Sequence, residues 1–406
     1  MMLTLESGRT QFGVGTSRHI SVVTETYRPE INGVALTLGR LVDGLRDLGH
    51  LVTIVRPRWH EAGPGLGRLD DDATAHTGVT VVPGIPIPGV HGVQFGMPSA
   101  GRLRRLWQRE RPDVVYVATE GPLGWCAVRV ANQAGIPAFS GFHTNFHSYS
   151  VHYRFGWLRT AILHYLAYFH ARARGTIVAS LDLADRLREL GLEHISVLGR
   201  GVDNRLFNPT RRCAALRRAW GAGEDDLVAM SVGRIAPEKN LGLAVKAFRA
   251  MKIVSPSARL VMVGDGPSRA SLQKQHPDVM FAGVQTGDQL AGHYASADVF
   301  LFPSETDTFG NVTLEAMASG LAVVAYDYAA AHQHISHGET GLLAPLGDAQ
   351  AFIEAAASAA RETGRARAIG LRARTSVSAL DWPSVVERFL TILLPPGERE
   401  RSAHAA

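Results

Sequence analysis

Ala297-Asp298-Val299-Phe300-Leu301-Phe302-Pro303-Ser304-Glu305-Thr306-Asp307-Thr308-Phe309-Gly310-Asn311-Val312-Thr313-Leu314-Glu315-Ala316-Met317 passes from an apolar run of strand length, through a polar loop, into a helical pattern that Gly320 stops. A strand that feeds a helix through a short loop is the repeating unit of a parallel sheet covered by helices. The loop delivers free N–H groups near Phe309 to Val312, and helix starts of this kind favour anionic or hydroxyl-rich ligands. Asp307 in the loop and Glu315 two turns into the helix can each accept bonds from sugar hydroxyls, so the stretch reads as half of a sugar-nucleotide site. Taken alone, the two carboxylates also fit a helix cap and a solvated helix position.

The same alternation extends outward in both directions. Upstream lie apolar runs at 227–232, 259–263 and 279–282, with a helix expected from Asn240, and downstream lies 322–326. An earlier set reads as strands at 19–24, 51–55, 79–82, 113–117, 138–140, 175–178 and 195–198, with a helix over 33–50 whose apolar stripe is Val34, Leu38, Leu41, Leu45 and Leu48. Two doubly wound α/β units follow, each a parallel sheet covered on both faces. The expected organisation is a loose tail over 1–18, one domain over 19–205, a second over 206–380, a helix over 381–394 and a disordered tail over 395–406. Paired α/β units bind ligands in the cleft between the carboxyl ends of their strands.

Composition agrees with a globular chain of this size. The 406 residues are 46% hydrophobic and 19% charged, enough for two sizeable cores. Two cysteines, Cys126 and Cys213, exclude a disulfide framework, and no run approaches the ~20 apolar residues of a spanning helix. The first 18 residues carry no apolar signal core, so the expectation is a cytoplasmic protein. A formal charge of +5 is compatible with anionic ligands or an anionic membrane surface.

Four loops fall at the cleft, 25–33, 141–152, 233–239 and the opening 304–311, and the turn at 263–266 lies near them. Gly233-Arg234-Ile235-Ala236-Pro237-Glu238-Lys239-Asn240 leaves a strand through a glycine and opens a helix, so that Arg234 and Lys239 can converge on a diphosphate. Gly33 follows Asn32 at a helix start and allows close approach of a phosphate or sugar. Val263-Gly264-Asp265-Gly266 begins a dinucleotide fingerprint, but Arg269 stands where the third glycine belongs, which leaves the turn beside a base or ribose. Gly141-Phe142-His143-Thr144-Asn145-Phe146-His147-Ser148-Tyr149 has the aromatics and imidazoles to stack on a hexose and hydrogen-bond to it. His143 with His147, and His332, His334 and His337, lack the spacing of a metal site.

Read together, these loops resemble the retaining glycosyltransferases of family 4, whose fold is GT-B, with Rossmann-like halves facing a central cleft. Thr24-Glu25-Thr26-Tyr27-Arg28-Pro29 with Asn32-Gly33-Val34, Phe142-His143-Thr144-Asn145-Phe146-His147, Arg200-Gly201-Val202-Asp203, Gly233-Arg234, Glu238-Lys239-Asn240 and Gly264-Asp265-Gly266-Pro267 occur in that family's order. The likeness is strongest to the branch of GDP-mannose-dependent α-mannosyltransferases and sulfolipid synthases. It implies that Arg234 and Lys239 bind the donor diphosphate with Gly33 beside it, Glu315 the ribose, Asp307 with the amides of Phe309 and Gly310 the donor hexose, and His143 the hexose near its reacting carbon. Asp203, Gly233, Gly264, Thr308 and Asn311 complete the implied donor side, and Glu25, Tyr27, Asn145, His147 and Tyr149 the acceptor side. It further implies a C-terminal helix crossing back to the first domain, and retention without metal or other cofactor, the leaving diphosphate helping to deprotonate the acceptor.

Two departures stand out. Asp307 replaces the first glutamate of the family's acidic pair and reaches about one methylene less far. The glycine-rich loop after the next strand is here Tyr328-Ala329-Ala330-Ala331-His332-Gln333-His334. The expected partners are a nucleotide-sugar donor, a lipid or glycan acceptor and an anionic membrane surface, with no nucleic acid. The basic stretches 102–107 and 152–174 suit a lipid headgroup surface, though packing against the sheet explains such helices equally. Alternatives are a UDP-sugar-dependent glycolipid synthase, a GT-B-shaped sugar-nucleotide epimerase and a non-catalytic binder.

Overall fold

The computed structural model describes residues 17–30, 32–58, 78–86, 94–143, 156–361 and 363–395. In chain order the strands of the first domain are β1 (His19–Val23), β2 (Leu51–Pro57), β3 (Val79–Val82), β4 (Gly84–Pro86), β5 (Gln94–Gly96), β6 (Val114–Val117), β7 (Ala138–Phe142), β8 (Gly175–Val178) and β9 (Ile195–Val197). All except β4 and β5 form one sheet in the order β3-β2-β1-β6-β7-β8-β9, parallel throughout. The second domain contributes β10 (Val228–Val232), β11 (Arg259–Val263), β12 (Met280–Gly283), β13 (Val299–Phe302), β14 (Ala322–Tyr326) and β15 (Gly341–Ala344), parallel in the order β12-β11-β10-β13-β14-β15. Continuous apolar strands such as Val114–Val117, buried at every position, are what a sheet covered on both faces requires.

Strand order reverses beside β1 in the first sheet and beside β10 in the second. Loops leaving the two strands at each reversal splay to opposite faces and open a crevice at their carboxyl ends. Three of the four loops read from sequence leave the strands at these reversals, after β1, β10 and β13, and the fourth leaves β7. The helix Gly33–Asp47 stops three residues short of the expected 50 because Leu48 caps it and Gly49 turns away at φ 84°. The sequence reading did not place β15, the β4–β5 hairpin or the helices Ala349–Ala360 and Thr363–Ser376.

The helix Trp382–Leu393 returns to the first domain. Val386, Phe389 and Leu393 are each 1% exposed and share a core with Leu38, Leu41 and Leu45 of Gly33–Asp47. The Phe389 ring meets Tyr116 edge-on at 4.9 Å. Burial of side chains of this size contributes about 1.5–3 kcal/mol each. The two segments that join the domains touch: Val202 N donates to Leu380 O at 2.8 Å, and a Cβ on Gly201 would stand 2.7 Å from Trp382 N. Residues 1–16 and 396–406, within the expected tails, lie outside the described residues.

Candidate active site

The loop after β10 carries both expected phosphate ligands. Arg234 points outward, its side chain 66% exposed, and meets Glu238 Oε1 at 3.2 Å. Lys239 ends a short 3-10 turn over Pro237–Lys239 and reaches across the strand-order reversal to Asp307. Its Nζ lies 2.7 Å from Oδ1 and 2.8 Å from Oδ2, with both side chains 22% exposed. An ammonium has three donors, so the chelated carboxylate leaves one for a further anion. Gly233, Arg234, Lys239, Phe302 and Pro303 line one depression here. Gly264 sits at φ 134°, where a Cβ would overlap the Gly233 carbonyl oxygen; this glycine is needed to pack the two donor-side loops together.

The helix Asn311–Ala318 begins at Gly310, at φ 87°, with no side-chain cap. Phe309, 5% exposed, anchors the loop through its carbonyl, which accepts from Ala330 N at 2.9 Å. Glu315 faces inward and accepts from Tyr294 Oη at 3.0 Å. Burial pushes its carboxyl up to about 7, against the opposing pull of that hydrogen bond. Ala329, in the stretch that departs from the family's glycine loop, takes φ 52°, a conformation that usually selects glycine. Its N–H donates to Asp182 Oδ2 of the first domain at 2.9 Å.

On the first domain, Gly33 opens its helix with nothing within 4 Å of a Cβ, leaving the space the sequence suggested. His143 follows β7; its carbonyl accepts from Thr308 Oγ1 at 3.2 Å, which joins the two domains at the cleft. Both ring nitrogens are engaged, Nε2 with Tyr116 Oη at 3.0 Å and Nδ1 with Arg200 Nη2 at 3.2 Å. Burial first, then the charge of Arg200, holds the imidazole down to about 3, so it is neutral at physiological pH.

Other expected residues have protein partners of their own. Glu25, named for the acceptor side, is buried, and its Oε1 accepts from Leu123 N at 3.1 Å at the start of the helix Pro122–Gln133. Burial raises it to about 7. Tyr27, also named there, packs among Leu38 and Val42 in the core. Asp203, named for the donor, instead turns the interdomain linker, accepting from Arg205 N at 3.2 Å and Leu206 N at 3.0 Å, and meets Arg40 at 3.4 Å. The two carboxylates thus have backbone amides as partners and the phenol an apolar surround. Asn145, His147 and Tyr149 lie outside the described residues.

The residues missed from sequence are Tyr116, Arg200 and Tyr294. Arg200 was quoted in its motif without a role, whereas Tyr116 and Tyr294 sit inside an ordinary strand and helix and carry no local signal. Among the described residues no group of three His, Cys, Asp or Glu side chains could hold a metal ion. His332 is instead bonded through Nδ1 to Asp327 at 2.7 Å, and His337 accepts from Leu343 N at 3.1 Å.

Comparison with known proteins agrees with this architecture. Residues 31–206 match the model of Glycosyltransferase Family 4, and residues 226–362 that of Glycosyl transferases group 1. The GDP-mannose-dependent alpha-mannosyltransferase of Mycolicibacterium smegmatis is 32% identical over 91% of this chain and 96% of its own length. The sulfoquinovosyl transferase of Arabidopsis thaliana is 30% identical over 75% of this chain and 61% of its own. Among solved structures, Anabaena HepE in complex with UDP superposes with a TM-score of 0.72 at 19% identity, covering 92% of this chain and 99% of that one. The sucrose-phosphate synthase of Thermosynechococcus elongatus superposes with a TM-score of 0.71 at 18% identity, covering 96% and 99%. With its two facing parallel-sheet domains and a helix returned from the second to the first, the chain belongs to glycosyltransferase family 4 and has the GT-B fold.

Proposed function

We propose that this hexosyltransferase moves mannose from GDP-mannose to a lipid or lipid-linked acceptor, with the α configuration retained and without a metal ion. The observation that carries the reading is the cationic pair on the loop after β10, Arg234 and Lys239, set beside Asp307 at the strand-order reversal. Two fixed cations can stabilise the charge that grows on a departing diphosphate and do the work otherwise given to a divalent metal. The diphosphate, leaving from the face the acceptor enters, takes the acceptor's hydroxyl proton. Glu315 receives the ribose hydroxyls, Asp307 and the Phe309–Gly310 amides the hexose, and His143 lies beside the reacting carbon. The relatives named for GDP-mannose support mannose as the sugar and guanine as the base.

A lipid acceptor is supported by the helix Ala100–Arg109. It buries Leu103 and Trp107 and exposes Arg104, Arg105 and Arg109, a basic face suited to an anionic surface. Among the described residues no helix is long and apolar enough to cross a membrane, so contact would be peripheral. A UDP-sugar-dependent glycolipid synthase is the second reading, favoured by the relatives named sulfoquinovosyl transferase and alpha-monoglucosyldiacylglycerol synthase and by the shortened acid at Asp307.

Calorimetry with GDP and UDP separates the two, since one base-pocket hydrogen bond shifts affinity by about 1–3 kcal/mol, roughly 5- to 150-fold. Tighter UDP binding would defeat the mannose reading. Product analysis with GDP-mannose and a lipid acceptor separates transfer from epimerisation and from mere binding. Activity that vanished in EDTA and returned with magnesium would move Glu305 and Asp307 to a metal role. Failure to associate with anionic vesicles at low salt, or association untouched by Arg104→Glu with Arg105→Glu, would count against the membrane part.

A further inference from the structure

The side chains around His143 leave its imidazole a single protonation state. A guanidinium only donates, so Arg200 Nη2 at 3.2 Å requires a lone pair on Nδ1. The proton of the neutral ring then lies on Nε2, 3.0 Å from Tyr116 Oη. Nothing fits between those two groups: a Cβ on Gly141 would overlap the phenol oxygen and stand 2.7 Å from Nε2.

Arg200 is itself held in place. It is 7% exposed, its Nη1 donates to Leu198 O at 3.2 Å, and its guanidinium carbon lies 5.9 Å from the centre of the Phe309 ring in the donor loop. Among the described residues three ionisable groups face the imidazole from the elements packed on it: Tyr116 on β6, Arg200 on the linker, and His170 on the helix Gly156–His170. His170 is bonded through Nδ1 to Ser140 Oγ at 2.8 Å, and its Nε2 lies 3.6 Å from Glu120 Oε1.

We propose that Arg200 is a positioning residue that fixes His143 as the neutral, Nε2-protonated imidazole and ties that ring to the Phe309 donor loop. The proposal rests on the reading above that places His143 beside the reacting carbon. Departure of the diphosphate leaves positive charge on that carbon, and an imidazolium there would oppose it. Arg200 prevents this by occupying the one nitrogen a second proton could take. Its own charge is delocalised over a guanidinium that lies over the Phe309 ring.

The test is a two-bond ¹H–¹⁵N correlation spectrum of the full chain labelled at histidine, recorded without donor between pH 5 and 8 and assigned with His143→Gln. The wild type should show an unprotonated Nδ1 and a protonated Nε2 across this range. Arg200→Met, which removes the donor to Nδ1, should let the Nδ1-protonated tautomer appear beside the Nε2-protonated one in the same spectrum. Arg200→Lys, which keeps the charge, should hold the ring neutral. In turnover, Arg200→Met should lose about tenfold in kcat, with donor KM changed less than about threefold. A wild-type ring that carries its proton on Nδ1, or titrates above about pH 5.5, overturns the proposal even where Arg200→Met does not fold. An unchanged Arg200→Met spectrum with normal transfer would sink Arg200 and leave the transferase reading intact; loss of that reading would leave the spectral result interpretable.

Discussion

Lys239→Ala separates the donor role of the ion pair from its structural role. In the folded protein the substitution removes two contacts to Asp307 and leaves a carboxylate that is 22% exposed. A pair with this much access to water contributes up to about 1 kcal/mol, and the stranded carboxylate can add about 1 more. For a domain of this size, about 1–2 kcal/mol lowers Tm by roughly 2–8 °C. Catalysis should suffer more. A donor aimed at charge that grows in the transition state is worth about 2.7–4 kcal/mol, so kcat/KM should fall about 10²-fold or more. The assay is nucleotide release under steady state, with melting curves to show that the variant is folded. Lys239→Arg should recover part of the rate, because charge is kept while the fork-shaped guanidinium fits one carboxylate and one phosphate imperfectly. Turnover of Lys239→Ala within about threefold of wild type, with Tm lowered as expected, would show that the ion pair is structural and that the diphosphate lies elsewhere.

Arg234→Ala should also cost about 10²-fold in turnover, yet leave Tm within about 1 °C, because its partner among the described residues is a solvent-exposed Glu238; a large melting shift would contradict that placement. Glu315 keeps its proton in the fold up to about 7, whereas in the unfolded chain it gives it up near 4.5. The unfolded state therefore binds fewer protons, and this residue makes stability fall as pH rises from about 4.5 through about 7. Denaturant titrations at pH 5.5 and 8 should show less pH-dependent loss in Glu315→Gln than in wild type, and equal slopes would refute the burial argument. Gly264→Ala should destabilise by more than about 2 kcal/mol, since a Cβ collides with backbone at a positive φ, while Gly33→Ala should melt like wild type and weaken donor binding. The reverse order in melting and donor titration would mean the loops are misread.

The strand–loop–helix passage of the opening stretch was readable because β13 is a bare apolar run and Gly310 marks the turn into Asn311–Ala318. What could not be read is pairing over distance. Lys239 and Asp307 were given separate ligands, a phosphate and a hexose, and only the adjacency of β10 and β13 in the sheet brings their side chains into contact. Glu25 was read on the acceptor side, and its partner amide at Leu123 belongs to a helix after β6, the strand beside β1. Tyr294 supports Glu315 from a helix with no motif of its own. β15 was missed because Gly341-Leu342-Leu343-Ala344 is too short and too ordinary to stand out, and the sheet edge supplies what its sequence lacks. Local periodicity reports elements; contacts between elements depend on sheet order, which periodicity does not encode.

The returning C-terminal helix sets the order in which the molecule can be completed during synthesis. Leu38, Leu41 and Leu45 leave the ribosome long before the side chains that cover them, Val386, Phe389 and Leu393. At typical elongation rates that gap lasts on the order of tens of seconds. The first domain thus holds an open apolar groove until the second has been made. Expressed alone, the first domain would carry that groove into solution and aggregate, whereas a circularly permuted chain that begins near residue 378, just before this helix, would supply the cover at the start.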